Sequence, residues 1–313
     1  MSAIQILGLE KIYNVGFWRK RPKCALKPLH LTIEEGEIFG FLGPNGAGKT
    51  TTLKMLMGLV YPTAGTARIL DMEINDPRMK AQIGFLPEQP YFYDYLTARE
   101  LLEYYGRLSG MSSGDRSKKI DEMLGRVGLT NSADVQLRKF SKGMLQRAGI
   151  AQAILHDPRV VFLDEPMSGL DPIGRREVRD LIEQLKHEGK TVFFSTHILS
   201  DAEALCDRVA IINLGELRRV GSISELTANV RGKVEFVWHG KTIPTALNQL
   251  GAECHISGDT VRAIASEADQ EAVLDALRRH QLRLISFAPV RTSLEEYFVA
   301  QVKPNGATAG GGA

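Results

Sequence analysis

The sequence predicts an α/β fold on a mostly parallel sheet, with an antiparallel lead-in, an inserted helical subdomain and a small C-terminal α+β domain. Three observations lead there. Apolar strand-like runs alternate with helical patterns through residues 38–86 and again through 160–220. The first of these runs, Ile38-Phe39-Gly40-Phe41-Leu42, feeds Gly43-Pro44-Asn45-Gly46-Ala47-Gly48-Lys49-Thr50-Thr51, which fits the phosphate-loop pattern G-x-x-x-x-G-K-[ST]. From about residue 91 to 157 the chain carries helical stripes and no strand-like alternation.

In order, residues 4–9 and 29–33 alternate and read as an antiparallel pair of strands. Between them, Gly16-Phe17-Trp18-Arg19-Lys20-Arg21-Pro22-Lys23 reads as a loop. Its basic run beside two aromatics suits either lipid head groups or a membrane partner, or else a solvated loop with one packed aromatic. After the phosphate-loop strand, Thr52–Met57 reads as a helix stopped by Gly58. Thr66–Leu70 and Ile83–Leu86 are short strands, the second ended by Pro87. Thr97-Ala98-Arg99-Glu100 is a capping box, and helices over 115–127 and 141–156 follow it. Val160–Leu163, Thr191–Ser195 and Val209–Ile212 are apolar strands, separated by helices from Pro172 and from Ile198. A domain boundary falls after residue 221. Residues 222–302 follow a β-α-β-β-α-β order with a last helix over 293–302, and 303–313 is a glycine-rich tail expected to be disordered.

Bulk composition excludes several classes. The 313 residues are 43% hydrophobic and 24% charged, an ordinary globular balance. A net charge of +2 gives no global field for nucleic acid, so no such partner is expected. Cys24, Cys206 and Cys254 lie far apart, which suggests a reducing compartment and no metal–sulfur site. The N-terminus lacks the layout of a signal peptide, and no apolar run approaches the ~18–20 residues of a spanning helix. A cytoplasmic location is expected, with any membrane part supplied by a partner.

The chemistry begins at the phosphate loop. Its glycines let backbone N–H groups turn inward on an anion, and the following helix adds its positive end. Lys49 would reach the β- and γ-phosphates, and the Thr50 hydroxyl would sit on Mg²⁺. The strand Val160-Val161-Phe162-Leu163 ends in two carboxylates. Asp164 would hold Mg²⁺ and Glu165 would polarise a water near the γ-phosphate.

The phosphate loop, then Phe140-Ser141-Lys142-Gly143-Met144-Leu145-Gln146-Arg147, then the Asp164-Glu165 strand resembles the ATPase subunit of an ATP-binding-cassette (ABC) transporter over about residues 3–221. The resemblance implies a P-loop NTPase fold of the ABC ATPase type, with ATP and Mg²⁺ as ligands. It makes Tyr13 the aromatic that stacks on adenine. It places Ser141 and Gly143 on the γ-phosphate of ATP held by a second protomer. Phe140, Lys142 and Met144 depart from the family's usual Leu-Ser-Gly-Gly-Gln. Ser168-Gly169-Leu170-Asp171 resembles the loop joining the two sites across the dimer, and His197 matches the switch histidine that contacts the γ-phosphate.

Glu88, in Leu86-Pro87-Glu88-Gln89, stands where the family usually has glutamine, with Gln89 adjacent. A glutamine offers a carbonyl and an amide, whereas an ionised glutamate only accepts. This departure, with Leu294-Glu295-Glu296-Tyr297-Phe298, resembles the ABC-2 type exporters, whose ATPase and membrane chains are separate. The resemblance then implies a homodimer on the cytoplasmic face of the membrane. A membrane permease would dock near Tyr91-Phe92-Tyr93-Asp94-Tyr95, which can equally be packed aromatics. The competing class is a soluble ABC ATPase acting on ribosomes or DNA. Such proteins usually carry two cassettes, or long coiled-coil or basic insertions, and neither occurs in this sequence.

Overall fold

The computed structural model describes residues 1–16, 19–226, 232–290, 294, 295 and 298. It begins with β1 (Ser2–Val15) and β2 (Arg21–Glu34), an antiparallel pair much longer than the sequence suggests. Arg21–Lys23, expected in the loop, lie in β2. The ladder simply continues through Tyr13↔Lys23 and Val15↔Arg21, and backbone pairing outweighs the polar composition. Phe17 and Trp18 lie outside the described residues. β3 (Ile38–Leu42) is buried throughout and leads into α1 (Lys49–Leu56). β4 (Ala64–Ile69) then pairs with β1, and β5 (Met72–Glu73) pairs with β4.

β6 (Ile83–Leu86) precedes the helical block. Its helices are α2 (Ala98–Leu108), α3 (Ser113–Arg126) and α4 (Lys142–Ile154). Thr97 and Glu100 form the expected capping box at α2, with reciprocal bonds of 3.2 and 2.8 Å. Ser141 caps α4 by accepting from the Met144 N–H at 3.2 Å. β7 (Val160–Asp164), α5 (Pro172–His187), β8 (Thr191–Thr196), α6 (Leu199–Leu205), β9 (Arg208–Asn213) and β10 (Glu216–Ser222) complete this part.

The central sheet runs β10-β9-β3-β8-β7-β6. All its neighbours are parallel except β10, which returns through a tight turn at Leu214-Gly215. Both faces are apolar because alternate residues bury on opposite sides. Phe39, Phe41, Phe162 and Phe193 pack with the β1–β2 hairpin and α1, their ring centroids 5.5–5.8 Å from that of Phe193. Val161, Leu163, Val192 and Phe194 pack instead with α2–α5, against Leu101, Ile154, Val178 and Leu185. The sheet is thereby held from both sides, and the carboxyl ends of β3, β7 and β8 meet at one edge. Leu42 pairs with Thr196, and Asp164 pairs with Ser195.

The chain divides into two compact units, Met1–Ile223 and Ser224–Ala313. Within the second, β11 (Lys233–His239), β12 (Glu253–Ser257), β13 (Thr260–Ser266) and β14 (Leu284–Pro289) form an antiparallel sheet of order β12-β13-β11-β14. Two helices at Thr245–Gln249 and Gln270–Arg279 give it a β-α-β-β-α-β sequence. Phe236, Trp238, Val261, Ala263, Val273 and Leu277 form its own core. Leu294 is buried. The rest of the last helix expected over 293–302 and the whole tail lie outside the described residues, apart from Glu295 and Phe298.

Candidate functional site

The phosphate loop leaves β3 through positions that admit no side chain. A Cβ on Gly43 would stand 2.4 Å from the Ile212 carbonyl oxygen, and one on Gly48 would stand 2.6 Å from that of Ala25. Gly48 also holds φ at +109°, which L side chains rarely adopt. As the N-cap of α1 it offers no capping side chain, so the first-turn N–H groups remain available to an anion. Ala47 is buried, and its N–H donates to the Pro44 carbonyl at 3.1 Å, closing the loop on itself.

Lys49 is almost fully buried. Its ammonium donates to the Gly43 carbonyl at 2.7 Å and the Pro44 carbonyl at 3.3 Å. It also lies 3.1 Å from Glu165 Oε1, both side chains being 6% exposed. Oε1 accepts no well-aligned hydrogen bond, so this contact acts through charge. The other oxygen, Oε2, accepts from His197 Nδ1 at 2.8 Å. That bond places a proton on Nδ1 and turns Nε2 to the outside of the pair. Lys49, Glu165 and His197 therefore form one continuous chain of polar contacts across the ends of three strands.

Ser195 fixes the acidic pair. Its hydroxyl donates to Asp164 Oδ1 at 2.5 Å and accepts from the Glu165 N–H at 3.2 Å. Glu165 itself holds φ at +50°, a left-handed backbone on a non-glycine residue. Strain of this kind persists where the surroundings over-determine the conformation, and it concentrates at functional sites. The sequence gives no sign of Ser195, because its role depends on β7 and β8 being neighbours.

A cavity of about 490 Å³ gathers most of the expected residues. Tyr13, Asn45, Gly46, Gly48, Lys49, Thr50, Thr51, Glu88 and Glu165 line it. Tyr13 is partly exposed at the far end of β1, with the Lys11 ammonium 5.0 Å from its ring centroid. Glu88 faces this cavity, whereas Gln89 does not line it and accepts from the Tyr91 hydroxyl at 3.1 Å. A larger neighbouring cavity of about 730 Å³ is lined by Thr50, Glu88, Gln89, Tyr91, Phe92, Tyr105, His156 and Asp164, among others. Tyr91 is 92% exposed, while Phe92 is half-buried and edge-on to Tyr105.

Ser141 and Gly143 are not brought to the phosphate loop. They line a separate cavity of about 290 Å³ with Lys142, Arg147, Gly169, Asp171 and Glu177.

The described residues contain no group of three or more His, Cys, Asp or Glu side chains able to cage a metal. The oxygens of Thr50 and Asp164 instead suit a magnesium ion, which takes one or two protein oxygens and completes its shell with phosphate and water. No helix among the described residues is long and apolar enough to cross a membrane.

A phosphate loop, a strand-end acidic pair and a histidine bonded to that pair, at the carboxyl edge of a parallel sheet, define an ATPase cassette. Residues 26–168 match the ABC transporter family. The chain is 44% identical to the ABC transporter ATP-binding protein sll0415 of Synechocystis sp., covering 98% of this chain and 86% of that protein. It is 38% identical to the bacitracin transport ATP-binding protein BcrA of Bacillus licheniformis, over 95% and 96% of the two chains. Linearmycin resistance ATP-binding protein LnrL of Bacillus subtilis is 33% identical, over 88% and 93%. Among solved structures, the cassette MJ0796, a dimer bound to ADP and Pi, superposes with a TM-score of 0.64. That pair is 29% identical, and the match covers 70% of this chain and 98% of that one. The chain belongs to the ABC transporter ATP-binding proteins. It is an ABC-type ATPase subunit that binds and hydrolyses ATP.

Proposed function

We propose that this chain works as a head-to-tail homodimer that closes around two ATP molecules and drives a separate membrane permease of the ABC-2 exporter type. The observation that carries the reading is the separation of the site into two parts. The phosphate loop, Tyr13, Glu88 and Glu165 share one cavity, while Ser141 and Gly143 line another at the start of α4. Each half is an anion site of its own, and a second copy would supply the missing half to each.

In this reading Tyr13 stacks on the adenine, and the loop N–H groups from Asn45 to Thr51 hold the phosphates. Lys49 passes from Glu165 to the β- and γ-phosphates. Glu165 is then free to take the proton of the attacking water, as a general base. His197, held by Glu165 through Nδ1, turns Nε2 toward the γ-phosphate. Thr50 and Asp164 would hold Mg²⁺, which supplies neutralisation of phosphate charge when bound. Glu88 stands in for the family's glutamine beside that ion.

The permease would dock on the 730 Å³ cavity, which Tyr91 lines, and on the exposed rings of Tyr93 and Tyr95 that follow it in the chain. Such an assembly sits at the cytoplasmic face of the membrane. The names of the BcrA and LnrL relatives favour export of an antibiotic-like molecule, selected by the permease rather than by this chain.

Size-exclusion chromatography with light scattering tests the dimer. Glu165→Gln should run as a dimer in MgATP, and adding Ser141→Arg should return it to monomer while ATP still binds. A monomer in MgATP at tens of micromolar protein would refute the closed dimer.

A further inference from the structure

Asp201, on α6, is 3% exposed, and its Oδ2 accepts no hydrogen bond from any described residue. A buried carboxylate oxygen without a partner costs stability. Burial raises its pKa above the ordinary carboxylate value; Arg175 and Arg179 of α5 oppose this, Glu165 adds to it and His197 opposes it. These four are the titratable groups that act on it. α5 packs against α6. Neither arginine reaches the free oxygen by a hydrogen bond. Arg175 instead donates Nε to the Leu170 carbonyl at 3.3 Å, within the loop Ser168-Gly169-Leu170-Asp171.

We propose that Asp201 is a positioning residue for ATP hydrolysis. Its Oδ2 is the acceptor Arg175 takes when the 168–171 loop shifts to meet a second copy, and the pairing ties that loop to Glu165 and His197. This rests on the head-to-tail dimer. A cation now spent on a loop carbonyl and an unsatisfied buried anion on the adjoining helix are two halves of one charge-assisted contact. Forming it removes the burial penalty of Asp201 at the moment the loop lets go, so closure and alignment of the hydrolytic pair become one event.

Steady-state ATPase of the full chain tests this. Asp201→Asn keeps the shape and removes the buried charge. It should leave the melting temperature equal or higher and KM within about twofold, yet lower kcat about tenfold. Arg175→Gln should do the same, and the double variant should be no slower than either single one, because both remove one contact. Arg179→Gln should stay within about twofold of wild type. An unchanged kcat in Asp201→Asn, additive losses in the double variant, or coupling to Arg179 in place of Arg175 would each overturn the proposal. Should Asp201→Asn fold poorly, Arg175→Gln, at a half-buried position, still reads kcat against KM. If Glu165→Gln forms no dimer in MgATP, both the dimer and this inference fall. If it does dimerise and Asp201→Asn hydrolyses normally, only the role of Asp201 falls.

Discussion

Glu165→Gln separates the two tasks given to one carboxylate. In the structure Glu165 neutralises Lys49 at 3.1 Å, with both groups buried. At an effective dielectric of about 20, that attraction is about 5 kcal/mol before desolvation. Removing one partner of a buried pair costs about 3–5 kcal/mol. Glutamine keeps a carbonyl acceptor, and Lys49 keeps its bonds to the Gly43 and Pro44 carbonyls, so the net loss should fall near 2–3 kcal/mol. For a unit of this size that lowers the melting temperature by about 5–10 °C without nucleotide. MgATP brings phosphates to Lys49 and supplies the lost counter-charge. The variant should therefore gain more stability from MgATP than wild type does. Turnover should fall about 10²–10⁴-fold as the base is lost. Calorimetry with and without MgATP and a phosphate-release assay read both effects. An unchanged melting temperature without nucleotide would show that the Lys49–Glu165 pair contributes nothing. Unchanged turnover would remove Glu165 as the base.

Gly48→Ala should abolish ATP binding in equilibrium dialysis, since its Cβ would strike the Ala25 carbonyl and φ is +109°; retained affinity would show that the loop can rearrange. Lys49→Ala should likewise lose ATP, and it should melt lower by the ~3–5 kcal/mol of an unpaired buried Glu165. Glu88→Gln should keep at least partial ATPase activity, because the residue lines the cavity without a fixed partner there; complete loss would give the carboxylate a role of its own. His156 should make the fold less stable in acid. Burial holds its pKa below the ordinary value, and its Nε2 lies 2.9 Å from the Ile83 carbonyl. The folded chain thus favours the neutral ring. Its contribution is complete above about pH 6.5 and is lost as the pH falls through the depressed folded value. Melting temperatures of His156→Phe measured from pH 7.5 to 5 should fall less steeply than those of wild type; parallel curves would exclude His156.

What the sequence made legible was set by local physics, and what it hid was set by adjacency. The phosphate loop could be read because its geometry admits only glycine at Gly43 and Gly48, so composition and conformation are the same statement there. The capping box at Thr97 and the strand-end pair Asp164-Glu165 are equally local. Strand order is not local. Nothing in Val160–Leu163 or Thr191–Ser195 says that β7 and β8 lie side by side, and with that unknown neither Ser195 nor the Lys49–Glu165 pair could be foreseen. The length of the β1–β2 ladder is hidden in the sequence for a related reason. Arg21–Lys23 carry the composition of a solvated loop, and only their pairing with Tyr13–Val15 makes them strand. The same ladder sets Tyr13 opposite Lys23, and both line the 490 Å³ cavity. A basic run that read as solvation or lipid contact thus flanks the aromatic assigned to adenine, and Lys23 can meet an anion there without any change in the fold.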